Sequence, residues 1–260
     1  MIQKNKANLL NQAHYPYKMR SIKILPGIKI IDLALKIDNN LIISDTHIGY
    51  EEAINKHGIL IPRFQFKDIT ERLERIFHNC KEPIETFIIN GDVKHEFSTI
   101  SETEWRNTLA LLDFVGKKCR RIVIVKGNHD TVIGPIAEKR NVKIVRQHII
   151  KSGTENILLL HGHILPKKMP NCNVIIIGHQ HPAITLRDGL RSELYKCFLR
   201  GKYKKAWLIV IPAFTPVSTG TDVLREVISP FLEQDIDDFY VYPVEDSVYE
   251  FGKVSDLRSV

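Results

Sequence analysis

Seven of the eleven histidines in this chain of 260 residues fall inside five short clusters that also hold aspartate, asparagine or glycine. In order they are Asp45-Thr46-His47, Gly91-Asp92 with His95 three residues on, Gly127-Asn128-His129-Asp130, His161-Gly162-His163 and Gly178-His179-Gln180-His181. Imidazole, carboxylate and one neutral amide form a ligand set for divalent cations, and the clusters hold no thiolate of the kind that selects soft or closed structural sites. The four cysteines, Cys80, Cys119, Cys172 and Cys197, stand far apart without a CxxC pair and read as reduced, mostly buried thiols. Two divalent cations about 3.5 to 4 Å apart, bridged by a carboxylate and a hydroxide, generate a nucleophile and grip phosphate oxygens together. The chemistry on offer is therefore phosphoester hydrolysis. A lone histidine after a strand is more often a core-edge residue than a ligand, and it is the joint pattern that changes the reading.

Each cluster follows or closes an apolar run. Residues 28–37 and 41–44 are rich in isoleucine and are separated by Asp38-Asn39-Asn40, a turn signal, so they read as a hairpin feeding Asp45. Runs 86–90, 122–126, 157–160 and 174–177 have the look of strands buried on both faces. In layered α/β folds the ends of such strands are where ligands collect. Between them, Ile69, Leu73, Ile76, Phe77 and Cys80 make one helical face over 66–81. A second helix starts at Ser101, which with Glu104 has capping-box form, and runs through Trp105, Leu109, Leu112 and Val115. From about residue 184 the pattern turns to short strands, with 196–200 and 206–211 expected as a hairpin joined around Gly201-Lys202 and a final strand over 239–244. Residues 1–21 are polar and aperiodic, a loose N-terminal extension. Without repeats, low-complexity tracts or a linker, 22–260 reads as a single domain, and a 43% hydrophobic chain of this length buries its core without disulfide or metal staples.

Net charge is +7 with a pI near 9.1, and the basic residues crowd the second half, from Lys139 and Arg140 to Lys204 and Lys205. This balance favours a polyanionic partner through counterion release, and nucleic acid is the expected one. The competing explanation is a basic surface set by genome bias or by thermophilic ion-pair networks. No apolar run reaches the roughly 18 to 20 residues of a membrane span, and the N-terminus lacks the pattern of a signal peptide. A cytoplasmic location and no membrane partner are expected.

The succession D-x-H, G-D-x-x-H, G-N-H-D, H-G-H and G-H-x-H from Asp45 to His181 closely resembles the calcineurin-like metallophosphoesterases. That resemblance implies an α/β fold, a four-layer α/β/β/α sandwich whose two mixed sheets are flanked by helices. It implies a dinuclear site in which Asp45, His47 and His181 hold one metal, Asn128, His161 and His179 the other, and Asp92 bridges. His129 matches the catalytic histidine over the scissile phosphate, placed to stabilise developing charge and protonate the leaving oxygen. Asp130 would orient its imidazole. His161 is preferred to His163 as ligand because it directly follows Leu158-Leu159-Leu160, which leaves His163 as a phosphate contact. His95 stands where many relatives place Asn or Arg against the substrate phosphate. Glu51 reads as a helix-start carboxylate rather than a ligand. Such ligands accept manganese, the expected pair of ions, and equally iron, zinc or nickel, with cellular supply deciding.

A finer similarity is to the archaeal SbcD-related phosphoesterases and the bacterial DNA-ligase-associated metallophosphoesterases, carried by residues 43–51, 91–97 and Ile211-Pro212-Ala213-Phe214 followed by Gly220. It implies a phosphodiesterase or nuclease of DNA or RNA processing, with a helicase or other processing protein as partner. The long DNA-binding and docking extensions of full SbcCD-type nucleases have no room here, so processive duplex degradation is not expected. One alternative is a small-molecule phosphodiesterase or phosphatase acting on cyclic nucleotides or nucleotides, which salt dependence distinguishes. Another is a scaffold in a nucleic-acid-processing complex, since the superfamily includes members that keep the fold as a protein-interaction scaffold, as in the retromer coat. Scaffolds of that kind lose motif residues, whereas His129 and all seven ligand positions are present here.

Overall fold

The computed structural model describes residues 21–188 and 191–258, so the N-terminal extension expected over 1–21 lies, but for Ser21, outside the described residues. The first sheet runs in chain order: β1 (Ile22–Leu25), β2 (Ile28–Ile31), β3 (Ala34–Ile37), β4 (Asn40–Ile43), β5 (Thr86–Asn90), β6 (Arg121–Val125) and β7 (Lys143–Val145). β1 to β4 form an antiparallel meander, and β4 to β7 are parallel. Parallel neighbours need crossovers. These are α1 (Tyr50–Lys56) with α2 (Gln65–Asn79), then α3 (Glu102–Gly116), then α4 (Gly134–Glu138). Ile69, Leu73 and Ile76 of α2 and Leu111, Leu112 and Val115 of α3 are buried in the core that includes Phe87, Ile88 and Ile89 of β5. The Ser101–Glu104 capping box starts α3 as the sequence suggests.

The first sheet departs from expectation at one point. The run 28–37 is not a single strand, because Asp32 takes a left-handed conformation (φ 53°) and folds it into β2 and β3. Aspartate tolerates that region, and both of its carboxylate oxygens are held by Arg72 of α2, with Nε at 2.8 and 2.9 Å.

The second sheet comprises β8 (His148–Ser152), β9 (Glu155–Leu159), β10 (Val174–Ile177), β11 (Pro182–Asp188), β12 (Arg191–Tyr203), β13 (Ala206–Val210) and β14 (Thr221–Asp222), in the order β14-β11-β12-β13-β10-β9-β8, with β15 (Tyr240–Pro243) paired to β12. β9, β10 and β13 are parallel. Alternation along them assigns the two faces. Ile157, Leu159, Ile176 and Ile209 share the core of the first sheet. Leu158, Ile175, Leu208 and Val210 turn the other way, under Val223, Phe231, Leu232, Phe239 and Val254 of α5 (Val254–Arg258). Two mixed sheets thus pack face to face between helical layers, the architecture expected. The hairpin turn falls at Lys204-Lys205, where Lys204 has φ 55° and Tyr203 pairs with Ala206, not around Gly201. Gly201 lies inside β12, where a Cβ would overlap the Phe239 ring. The last strand is β15, antiparallel to β12. No helix among the described residues is long and apolar enough to cross a membrane.

Candidate metal centre

β4, β5 and β6 of one sheet and β9 and β10 of the other all end at the same edge, and the five clusters occupy the loops that leave them. The β4–β5 pairing continues past the strands, with Asp45 N donating to Gly91 O (3.1 Å), His47 N to Asp92 O (2.9 Å) and Ile48 N to Val93 O (2.9 Å). Asp45, His47, Asp92, His179 and His181 all adopt left-handed backbone, with φ of 55, 42, 48, 60 and 47°. Residues other than glycine at such angles cost of order 1 kcal/mol or more, and they cluster at functional sites. Two glycines make the approach of the loops possible. A Cβ on Gly91 would overlap the His161 ring, and one on Gly178 would overlap Ser44 Oγ and crowd the Asp45 carboxylate.

The side chains gather into two groups that meet at Asp92. In the first, His181 Nε2 lies 3.3 Å from Asp45 Oδ1 and 3.2 Å from His47 Nε2, and His47 Nε2 is 3.8 Å from Asp92 Oδ2. In the second, His161 Nε2 lies 3.2 Å from Asp92 Oδ2 and 3.0 Å from Asn128 Oδ1, with His179 completing the group. His47, His95 and His129 form a third group at the rim. His95 stacks on Tyr50 (centroids 4.1 Å, 13°), and His163 lies 5.2 Å from the His161 ring and 5.9 Å from that of His179.

The donor set fits divalent cations. His161 Nδ1 donates to the Asn90 carbonyl at 3.2 Å, which turns Nε2 toward two oxygens, Asn128 Oδ1 and Asp92 Oδ2. Positive charge belongs there, carried by a proton on Nε2 or by a divalent ion in its place. Asp45 is fully buried and its Oδ1 has no hydrogen-bond partner. Among the described residues no lysine or arginine pairs with Asp45 or Asp92.

The protein groups alone produce matching electrostatics. Burial opposes ionisation of Asp45 and Asp92, yet the imidazoles of His181 and His161 hold both below the usual carboxylate range. Burial likewise disfavours the charged form of His161, but the Asp92 hydrogen bond and the Asp45 charge carry it up to about 9. Burial, with His181, pulls His47 well down, and burial takes His179 and His95 to about 4, helped by His161 and His129 respectively. His47 and His179 are thus neutral near pH 7, as a metal ligand must be, while His161 would have to yield its proton to an ion.

Buried and half-buried polar side chains, most of them outside the clusters, hold the loops. Gln65 donates to His47 O (2.8 Å), Thr46 O (3.2 Å) and Thr215 Oγ1 (2.9 Å), and accepts from Gly49 N (3.1 Å). Glu104 accepts from His95 N (2.9 Å), Glu96 N (2.7 Å) and Ser101 N (2.8 Å). Gln180 accepts from Ile228 N (2.7 Å) and Ser229 N (2.9 Å). Lys196 Nζ donates to the carbonyls of Ala213 (2.8 Å) and Thr215, and Thr215 N in turn donates to Asp45 O (3.1 Å). Glu51 does sit in the first turn of a helix, α1, but its carboxylate accepts from Phe64 N (2.7 Å) and Gln65 N (2.5 Å) at the start of the next.

Asp130 differs from expectation. Its carboxylate accepts from Val93 N and Gly127 N, each at 2.9 Å, and does not touch the His129 ring. His129 Nδ1 donates instead to the His95 carbonyl, while His129 N donates to Asp92 Oδ1 at 2.9 Å. Asp130 is fully buried behind the loop and His129 half-buried at its rim, so adjacent side chains point apart. Burial, with Asp92 nearby, raises Asp130 to about 6. Gln65 and Gln180 carry no local sequence signal, and Glu104 is visible in the sequence only as a helix cap.

A calcineurin-like phosphoesterase family model matches residues 40–234, a span that contains every ligand cluster. The chain belongs to the calcineurin-like phosphoesterase family. Members are metal-dependent phosphoesterases, and the grouped histidines and aspartates are this phosphoesterase's candidate sites for divalent ions. Its fold is similar to that of the nuclease MPE of Pseudomonas putida, with 18% identity over 90% of this chain and 100% of that chain and a TM-score of 0.60. Looser likenesses include a protein of unknown function from Aquifex aeolicus (24% identity, 54% and 77% covered, TM-score 0.36). Vacuolar Protein Sorting 29 from Cryptosporidium parvum is another (16% identity, 82% and 97% covered, TM-score 0.38). None of the curated proteins matches the chain.

Proposed function

We propose that this phosphoesterase is a dinuclear phosphodiesterase acting on nucleic acid, as a nuclease or an end-processing enzyme. The observation that carries the reading is the meeting of the Asp45–His47–His181 and Asp92–His161–His179 groups at the Asp92 carboxylate, with His129 beside them. Asp45, His47 and His181 would hold one ion, Asn128, His161 and His179 the other, and Asp92 both. Two bound divalent ions, manganese in the first instance, supply Lewis acidity to the phosphate oxygens and acidify an attacking water. His129 has its Nδ1 committed to a carbonyl, which leaves Nε2 to carry a proton to the leaving oxygen. His95 and His163, half-buried next to the two groups, would contact the phosphate.

The net charge of +7 and the exposed Lys167, Lys168, Lys202, Lys204 and Lys205 support a polyanionic substrate. The nuclease from Pseudomonas putida, similar in fold, agrees with it. A helicase or another nucleic-acid-processing protein is the kind of partner this activity would serve. The test is a screen of the manganese-loaded protein against single-stranded DNA, RNA, cyclic nucleotides and phosphomonoesters. Oligonucleotide cleavage that weakens steeply with salt is the expected result. Turnover of cyclic nucleotides or monoesters alone would replace the nuclease reading with a small-molecule one.

A further inference from the structure

Phe97 lies midway along the loop from β5 to α3, and 55% of its surface is exposed. One face of its ring packs on the His129 imidazole, with centroids 3.7 Å apart and planes at 30°. The rest of the side chain stays largely open to water. This is not a side chain on a slack loop. Thr131 Oγ1 donates to the Phe97 carbonyl, and the fully buried Glu104 carboxylate accepts from His95 N and Glu96 N directly before it. An apolar ring is therefore held in water, at a fixed angle, against the residue that faces the leaving oxygen.

We infer that Phe97 is a stacking platform for the base of the nucleotide on the leaving side of the scissile phosphate. The inference rests on the nucleic-acid reading above and makes it narrower. Whatever departs from the phosphorus passes His129, and Phe97 offers the adjoining flat apolar surface. Every base has a π-face, so such a platform is tolerant of sequence. It is not tolerant of pairing, because a base lying on Phe97 has left its neighbours in the duplex. The substrate class that follows is single-stranded nucleic acid or an unpaired end.

The test uses a short single-stranded oligonucleotide with one hydrolysable linkage, and two versions of it that are abasic on one or the other side of that linkage. With manganese-loaded protein, Phe97→Ala should lower kcat/KM on the intact strand by about 5- to 150-fold, the range that base–aromatic stacking supports. On the strand abasic at the leaving side, wild type and variant should cleave alike. Phe97→Trp should restore the intact-strand rate, and the wild type should cut the single strand faster than the same sequence in a full duplex. An equal loss on intact and abasic strands would make Phe97 a prop for His129 and overturn the platform. Equal rates on single strand and duplex would overturn it too. A wild type that hydrolyses other diesters but no oligonucleotide would fail at the earlier step, removing the nucleic-acid reading and the platform with it.

Discussion

Replacing Glu104 by glutamine tests whether the rim of the site is held by one buried carboxylate. Oε1 accepts two backbone N–H groups, from His95 and Glu96, and Oε2 accepts that of Ser101. The amide of glutamine keeps a carbonyl for the first pair and turns its NH2 toward Ser101 N, so one hydrogen bond is lost and two donors face each other. A hydrogen bond to a charged group is worth about 1.5 to 3 kcal/mol, which sets the expected loss near 2 kcal/mol. For a chain of this size that is roughly 4 to 8 °C in Tm. Glu104→Ala abandons all three donors and should cost about 4 kcal/mol. The loop it frees carries His95, its carbonyl on His129 Nδ1, and Phe97. A displacement of 1 Å there is worth up to about 10²-fold in rate. The assay pairs thermal unfolding with kcat and metal stoichiometry, using Glu102→Gln, an exposed acid in the same helical turn, as control. The control should move stability by less than about 1 kcal/mol. If Glu104→Gln melts and turns over like the wild type, the carboxylate is not what positions the rim.

Four further outcomes are expected. Asp92→Asn should abolish turnover and lower the occupancy of both metals, because a neutral amide no longer offsets repulsion between two close cations; elemental analysis showing two ions with normal kcat would contradict this. His129→Ala should keep both metals and lose about 10² to 10⁴-fold in kcat on a nucleoside leaving group but far less on an activated aryl diester, whose phenolate departs without a proton, and equal losses on the two would remove it as the acid. Neutralising Lys167, Lys168, Lys202, Lys204 and Lys205 should weaken nucleic-acid binding and flatten its salt dependence by about one unit per lost phosphate contact, leaving small-diester hydrolysis intact, as read by titration at several salt concentrations. Burial, with Arg72 nearby, brings Lys196 down to about 7. The unfolded chain then keeps a proton that the folded one lacks from about pH 7 to the ordinary lysine range, so stability rises with pH across that window. Lys196→Met should remove that rise in denaturant midpoints, and an unchanged slope would rule the lysine out.

The five clusters of candidate ligands were legible because each sits where an apolar run stops, and the end of a buried strand is marked by composition alone. The Ser101–Glu104 cap was legible for the same reason, being local. What escaped depends on residues distant in sequence. The turn at Asp32 is secured by Arg72, forty positions away, and the place of Gly201 inside β12 by Phe239. Gln65 joins Gly49 to Thr215, which nothing near residue 65 announces. Asp130 shows the limit of adjacency. Next in sequence to His129, it faces the opposite way, because its carboxylate is taken by Gly127 N in its own turn and by Val93 N in the loop after β5. Short elements such as α1, β7 and β14 exist through their neighbours rather than through propensity.

Asp45, His47, Asp92 and Asn128 rise from the first sheet, and His161, His179 and His181 from the second, and among the described residues no strand pairs across the two. Each of the two candidate ligand groups takes side chains from both sheets, so the distances within it are gauged by the thickness of the side-chain layer between the sheets. Ile176, Phe198 and Ile209 in that layer act as shims. A volume-conserving exchange among such residues usually costs under about 1.5 kcal/mol of stability. A change of a few tenths of an ångström in sheet separation passes undiminished to the ligands. Activity should therefore drift before stability does, and the most sensitive dial on the catalyst lies among residues that touch neither ion nor phosphate.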